Sequence, residues 1–137
     1  MSQDSRPVNA SNASPNRRPS VTVYNRLVRD KMPEIIEAMG NIAVYQILDD
    51  TAFRDALLST ISRSAAQFSE TESLESLADL LDCIDIWLEM NDLTMEEVEK
   101  ARAERVKRCG NFHQKMFLEV VADGASSDAL QLREFRC

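Results

Sequence analysis

The chain contains few glycines and prolines, the residues that form tight turns, and only one histidine, a residue that often takes part in catalysis. Its 137 residues include only three glycines and four prolines, which argues against a turn-rich all-β fold. A single histidine, His113, excludes any mechanism that needs two imidazoles in one chain. No apolar run approaches the roughly 18 residues of a membrane-spanning helix, so we predict no transmembrane segment.

Basic residues are fewer than acidic ones. Sixteen lysines and arginines against 23 aspartates and glutamates give a net charge of −7. Nucleic acids and anionic membrane surfaces attract proteins through their phosphate charge. We therefore expect neither nucleic acid nor membrane as a partner.

Cysteine is also scarce, with Cys83, Cys109 and Cys137 as the three examples. No two of them have the spacing of metal ligands, and Cys83 is expected to be a small core residue. The N-terminus lacks the apolar stretch of a secretory signal. These features predict reduced thiols and a cytoplasmic location.

Composition divides the chain into three parts. Residues 1–20 hold three of the four prolines and little apolar surface, which predicts a disordered tail. Residues 21–121 form the predicted domain. Residues 122–137 are rich in small and polar side chains and form a predicted loose tail.

Apolar residues recur at helical spacing through most of the predicted domain. Caps are expected at Asp30, at Asp49 or Asp50, and at Thr94, where Glu97 completes a capping box. A polar break is expected after residue 68. The predicted helices span about 31–39, 50–68, 72–90 and 94–109.

Three segments outside these helices have strand-like composition. Val21–Tyr24 and Ile42–Leu48 are rich in β-branched residues and allow a short β element, and Phe112–Val121 allows an extended segment. The predicted fold is therefore all-α, of helical-hairpin or four-helix-bundle type, with that β element as an option near the ends.

The two central helices each carry one apolar face, and a short connection makes them an αα-hairpin. One such hairpin cannot cover its own apolar faces, so we expect a homodimer or a higher homo-oligomer. The predicted faces are Phe53, Leu57, Ile61, Ala65 and Phe68 in one helix, and Leu74, Leu77, Ala78, Leu81, Ile84 and Leu88 in the other.

Acidic residues occupy the opposite arc of helix 72–90. One interpretation is a solvated face. The other is a Mg²⁺ site in which Glu75, Asp79 and Asp82 converge at spacing i, i+4 and i+7. The whole set is Glu72, Glu75, Asp79, Asp82, Asp85 and Glu89.

Basic residues form two clusters that suit phosphate oxygens, although ordinary surface charge explains each of them as well. One cluster contains Arg26, Arg29 and Lys31, and the other contains Arg102, Arg105, Lys107 and Arg108. From these we take Arg26, Arg29, Lys31 and Lys107 as candidate phosphate-binding residues.

Residues 24–36 read Tyr-Asn-Arg-Leu-Val-Arg-Asp-Lys-Met-Pro-Glu-Ile-Ile. This stretch resembles the opening of the MazG-related, phosphoribosyl-ATP pyrophosphohydrolase-like proteins, from which it differs only at Arg26 and Met32. Shorter similarities follow in the same order along the chain, so that the resemblance covers about residues 21–121. They are Ile47–Asp50, Leu77–Asp82, Gly110–Phe112 and Phe117–Glu119.

The resemblance implies an all-α nucleoside-triphosphate pyrophosphohydrolase fold that assembles at least as a dimer. Active members cleave the α–β phosphoanhydride of a nucleotide and release pyrophosphate. They use Mg²⁺ held by Glu-Glu-x-x-Glu on one helix and Glu-x-x-Asp on the next. The bound metal neutralises phosphate charge, and water attacks phosphorus.

This chain departs from that pattern at most of the implied metal ligands. The first motif falls on residues 63–67, where Arg63, Ser64 and Gln67 replace the three acids. In the second motif Ser76 replaces the glutamate and Asp79 remains. Such a set should bind Mg²⁺ far more weakly, and Arg63 either repels a metal or takes its place.

Three hypotheses follow. The first is a catalytically silent relative that keeps the fold and a nucleotide pocket. The second is an active Mg²⁺-dependent hydrolase with Glu75, Asp79 and Asp82 as metal ligands. The third is a structural helical module, either a dimer or a subunit of a complex. The lost acids favour the first over the second, and Arg29 and Lys31 favour it slightly over the third.

Overall fold

The computed structural model describes residues 20–124 and Cys137. The predicted tail 1–20 lies outside these residues except for its last position. Residues 125–136 of the predicted C-terminal tail also lie outside them.

Four helices follow one another in this part of the chain, and residues 20–124 contain no strand, which confirms the all-α fold class. The optional β element does not form. Ile42 and Val44, in one of its two proposed strands, are 88% and 94% exposed. A strand needs a neighbour that takes its backbone hydrogen bonds. The helices are α1 (Met32–Ala38), α2 (Asp50–Thr71), α3 (Leu74–Met90) and α4 (Met95–Cys109).

The chain separates into two compact units between Tyr45 and Gln46. This boundary lies inside the predicted domain 21–121, and no composition change marks it in the sequence. Helix α1 belongs to the first unit, and α2, α3 and α4 belong to the second.

Helix α1 has a proline in its first turn, and its cap differs from the predicted one. Lys31 rather than Asp30 is the N-cap residue, and it makes no side-chain hydrogen bond to the helix. Gly40 ends the helix with a φ of 87°, a conformation that costs little without a Cβ. The Asn41 N–H then donates to the Ile36 carbonyl at 3.2 Å, which completes a Schellman motif.

Helix α2 begins at the predicted cap and continues past the predicted end. The Asp49 carboxylate accepts from the Ala52 N–H at 2.8 Å. The polar stretch 69–71 does not break the helix but forms its last residues. The Thr71 hydroxyl donates to the Gln67 carbonyl at 2.9 Å. Glu72, with a φ of 49°, ends α2 instead.

The packed face of helix α3 matches the predicted face only in part. Leu77, Ile84 and Leu88 are buried or half-buried as expected. Leu74 and Leu81 are 82% and 48% exposed, and Ala78 is also exposed. Three residues on the adjoining side of the helix are half-buried instead, namely Leu80, Cys83 and Trp87. Because α3 is apolar on more than one side, spacing alone did not decide its packed face.

Helix α4 has the most complete terminal signals. Thr94 and Glu97 form the predicted capping box, and the last turn contains Lys107 and Arg108. The helix ends at Cys109 and Gly110, as predicted. It nevertheless contains no buried residue.

Candidate functional site at the α2–α3 hairpin

Helices α2 and α3 pack against each other as an αα-hairpin, connected through Glu72 and Ser73. Leu57 of α2 is fully buried, and Leu88 of α3 is 5% exposed. The predicted apolar face of α2, from Phe53 to Phe68, is buried or half-buried at each of its five positions. The hairpin therefore supplies most of the apolar contact in the described residues.

Three hydroxyl side chains form a cluster at the connected end of the hairpin. The Ser73 side chain caps α3 by accepting from the Ser76 N–H at 3.2 Å. The Ser73 and Ser76 hydroxyls lie 2.8 Å apart, and Thr71 Oγ1 lies 3.3 Å from Ser76 Oγ. The sequence interpretation missed this hydroxyl cluster (Thr71, Ser73 and Ser76), although three hydroxyl residues around a predicted helix start were a usable signal.

Asn91 connects the two helices at the other end of the hairpin. Its side-chain oxygen accepts from Arg54 of α2 at 3.3 Å. Its side-chain amide donates to the Trp87 carbonyl of α3 at 2.7 Å. Polar contacts thus join both ends of the packed helix pair.

The hairpin contains all five positions where the resemblance implies metal ligands. Ser64 and Ser76 are buried, at 9% and 6% exposure, and Arg63 is half-buried. Gln67 and Asp79 are exposed. A guanidinium, two hydroxyls and an amide accompany the single carboxylate, so this donor set does not fit a divalent cation that prefers several carboxylate oxygens.

The alternative ligands Glu75, Asp79 and Asp82 are all exposed, as the solvated-face interpretation expects. Within residues 20–124 no group of three or more histidine, cysteine, aspartate or glutamate side chains is arranged to hold a metal ion. We derive no catalytic step through Mg²⁺ from this arrangement.

The candidate phosphate-binding residues lie in both units. Arg26, Arg29 and Lys31 are exposed in the first unit, where the Arg26 guanidinium lies 5.7 Å from the centre of the Tyr24 ring. Lys107 is exposed in the last turn of α4, in the second unit. Each is accessible to an anionic ligand.

A disulfide bond joins Cys109 to Cys137 and corrects the prediction of reduced thiols. The two Cα atoms lie 5.9 Å apart, within the range that a disulfide spans. The residues are 28 positions apart in the sequence, so their pairing depends on the fold and not on sequence spacing. Cys83, which is not part of this disulfide, is half-buried, in keeping with a core role.

Comparison with family models, with curated proteins and with solved structures gives no match to this chain. Among the described residues, no helix is both long enough and apolar enough to cross a membrane.

Proposed function

We propose that this protein is a catalytically silent relative of the all-α nucleoside-triphosphate pyrophosphohydrolases, which binds a nucleotide through its phosphates without hydrolysing it. The proposal starts from the similarity of residues 24–36 to the opening of that family. It gives the protein a nucleotide ligand and no metal cofactor. The proposal does not keep the cytoplasmic location expected from the sequence, because disulfides such as Cys109–Cys137 are rare in that reducing compartment.

The observation that carries the proposal is the environment of Ser76. The resemblance implies a metal-binding glutamate at this position. Ser76 is instead 6% exposed, and its hydroxyl lies 2.8 Å from the Ser73 hydroxyl that caps α3. A carboxylate here would lose its hydration and displace the hydroxyl cluster. The position therefore supports the hairpin rather than a metal.

Phosphate recognition is assigned to the exposed cations of the first unit. Arg29 and Lys31 are exposed and lie within the stretch that most closely resembles the family. Guanidinium and ammonium groups form charge-assisted hydrogen bonds to phosphate oxygens. A chain with net charge −7 would otherwise repel a nucleotide, so local positive charge is required for binding.

The decisive experiment is a calorimetric titration of the full chain with nucleoside triphosphates, with and without Mg²⁺, alongside an assay for released pyrophosphate. We expect metal-independent binding, about tenfold weaker in Arg29→Ala or Lys31→Ala, and no pyrophosphate above the blank. Turnover that requires Mg²⁺ and is abolished in Asp79→Ala would instead establish the active-hydrolase alternative.

A second experiment tests Ser76 directly. We expect Ser76→Glu to lower the free energy of unfolding by at least about 2 kcal/mol, because it buries a carboxylate within the hairpin. Ser69→Glu is the matched control, since it makes the same change at an exposed position of α2. Millimolar Mg²⁺ should not restore the stability of Ser76→Glu, and full recovery would show that a metal site survives there.

Sparse burial favours a second candidate function, that of a self-associating helical module. Among the described residues, Leu57 and Leu88 are the only buried apolar side chains. Leu74, Ala78 and Leu81 lie at spacing i, i+4 and i+7 and form an exposed stripe on α3, which we call the outer stripe. An apolar stripe of this kind on a packed hairpin is typical of a four-helix interface between two copies.

Light scattering at micromolar concentration tests this candidate. We expect the wild-type chain to be at least dimeric, and Leu81→Lys to weaken the association at least tenfold, because it places a charge in the outer stripe. Val106→Lys is the control, since Val106 of α4 is 47% exposed and Leu81 is 48% exposed. A monomeric wild-type chain contradicts the candidate.

A further inference from the structure

The Cys109–Cys137 disulfide is open to solvent on one side. Cys137 is exposed and Cys109 is half-buried. Residues 110–124, which follow Cys109 in the loop that the bond closes, are exposed at every position. A dissolved thiol can therefore approach the bond from the side of Cys137. Exposed disulfides are in general the easily reduced ones, whereas structural disulfides resist reduction.

The helices are held by contacts that do not involve this bond. Helix α4 has the capping box of Thr94 and Glu97 at its start, and the Gly110 N–H donates to the Val106 carbonyl at 2.8 Å at its end. The buried leucines of the described residues lie in the α2–α3 hairpin. Because folding and reduction are linked in one thermodynamic cycle, a bond that adds little to stability is about as easily reduced in the folded chain as in the unfolded one. Reduction should therefore leave the helices intact.

Positive charge surrounds Cys109. Arg105 precedes it by four residues on α4, which places the two side chains on the same face of the helix. Residues 104–108 contain three cations and one acid, so their net charge is +2. The helix dipole contributes only about half a negative charge at this end of α4, so the cations prevail. Their field favours a negatively charged sulfur at Cys109 and attracts anionic reagents to the bond.

We propose that the Cys109–Cys137 bond is a reversible exchange site for small anionic thiols, the class to which glutathione belongs. A reagent thiolate attacks the exposed Cys137 Sγ, the Sγ–Sγ bond breaks, and Cys109 leaves as a thiolate beside Arg105. A second reagent thiolate attacks the reagent sulfur of the mixed disulfide, which releases the oxidised reagent and leaves Cys137 as a thiolate. Two reagent thiols thus supply two electrons, and the protons that they release are taken up by the two protein thiols. The exchange requires neither nucleotide nor metal.

The rate of reduction by glutathione tests whether the folded chain reacts. Wild-type protein is incubated with millimolar glutathione, with and without urea, and quenched with N-ethylmaleimide, which adds once to each reduced thiol. We expect the folded chain to gain two alkylated thiols per molecule at a rate within about tenfold of that of the unfolded chain. Far-UV circular dichroism of the reduced protein should show unchanged helix content. A slower folded chain, or one that unfolds on reduction, overturns the site.

Peptide mapping identifies the sulfur that is attacked. In samples quenched early, mass spectrometry should find glutathione on Cys137 and N-ethylmaleimide on Cys109. Cleavage after glutamate separates the two, because Cys109 lies in the fragment that begins at Arg105 and Cys137 in the fragment that begins at Phe135. The reverse distribution would overturn the assignment of Cys109 as the leaving thiolate.

Charge reversal on α4 tests the role of Arg105. Arg105→Glu should slow reduction by mercaptoethanol about threefold, because it destabilises the departing Cys109 thiolate. Arg105→Lys should keep the wild-type rate. Lys100→Glu is the matched control, since it makes the same charge change at an exposed position roughly 13 Å along the helix from Cys109. Equal rates in Arg105→Glu and Lys100→Glu would contradict this role.

Discussion

Helix α4 and the α2–α3 hairpin differ in what makes them helical. Helix α4 has a capping box, acidic residues in its first turn and basic residues in its last, yet none of its residues is buried. Helices α2 and α3 have one side-chain cap each and no basic residue in the last turn, yet each contains two buried residues. Caps and terminal charges are thus enough to form a helix, whereas the packing of a helix depends on the apolar residues along its length.

The same difference explains where the candidate site lies. A packed helix pair gives each inward residue fixed neighbours, as the hydroxyl cluster shows at Ser76. On α4 the ion pair between Arg102 and Glu99 joins two exposed residues of the same helix. Surface pairs of this kind contribute little to stability. We therefore infer that the positions where the implied metal-binding acids are replaced, Arg63, Ser64, Gln67 and Ser76, have a structural role within the hairpin.

The largest expected effect is the loss of the buried leucine of the hairpin. Leu57→Ala should lower the free energy of unfolding by about 2–5 kcal/mol, because it leaves a cavity at a fully buried position. Leu58→Ala, at a neighbouring position that is 46% exposed, should cost less than about 1 kcal/mol. Urea denaturation at one fixed protein concentration measures both. Equal losses would mean that the hairpin does not provide the core.

A smaller effect comes from exchanging the caps of the two regions for alanine. Asp49→Ala removes the cap of α2 and should lower the global stability by about 1 kcal/mol, because that helix is packed. Thr94→Ala removes the cap of α4 and should raise amide exchange in its first turn while leaving the unfolding midpoint nearly unchanged. A common loss of global stability would show that α4 unfolds together with the hairpin.

The smallest effect should follow removal of the disulfide. Closing a loop of about 28 residues is worth roughly 3–4 kcal/mol when the loop is ordered in the folded state. Residues 110–124 of this loop are exposed throughout, so the bond secures no buried contact among them. Cys137→Ser should change the free energy of unfolding by less than about 1 kcal/mol. A larger loss, measured by thermal denaturation with and without reductant, would show that the C-terminal segment contributes to folding.

Much of the helical architecture was predictable because its signals are local. Asp49 and Thr94 marked helix starts that the structure confirms. The end of α2 was not predictable in the same way, because Thr71 forms hydrogen bonds both to its own helix and to Ser73 beyond it. The Cys109–Cys137 bond was equally hidden, since sequence spacing does not reveal which cysteines become neighbours.

The sequence by itself determined the all-α class, the starts of α2 and α4 and the replacement of four carboxylates at the positions that the resemblance implies. Only the tertiary structure decided that Ser64 and Ser76 are buried and that Leu74 and Leu81 are not. The physical reason is the range of the interactions. Caps act over three or four residues, whereas the packed face of a helix such as α3 is chosen by contacts with residues distant in the chain.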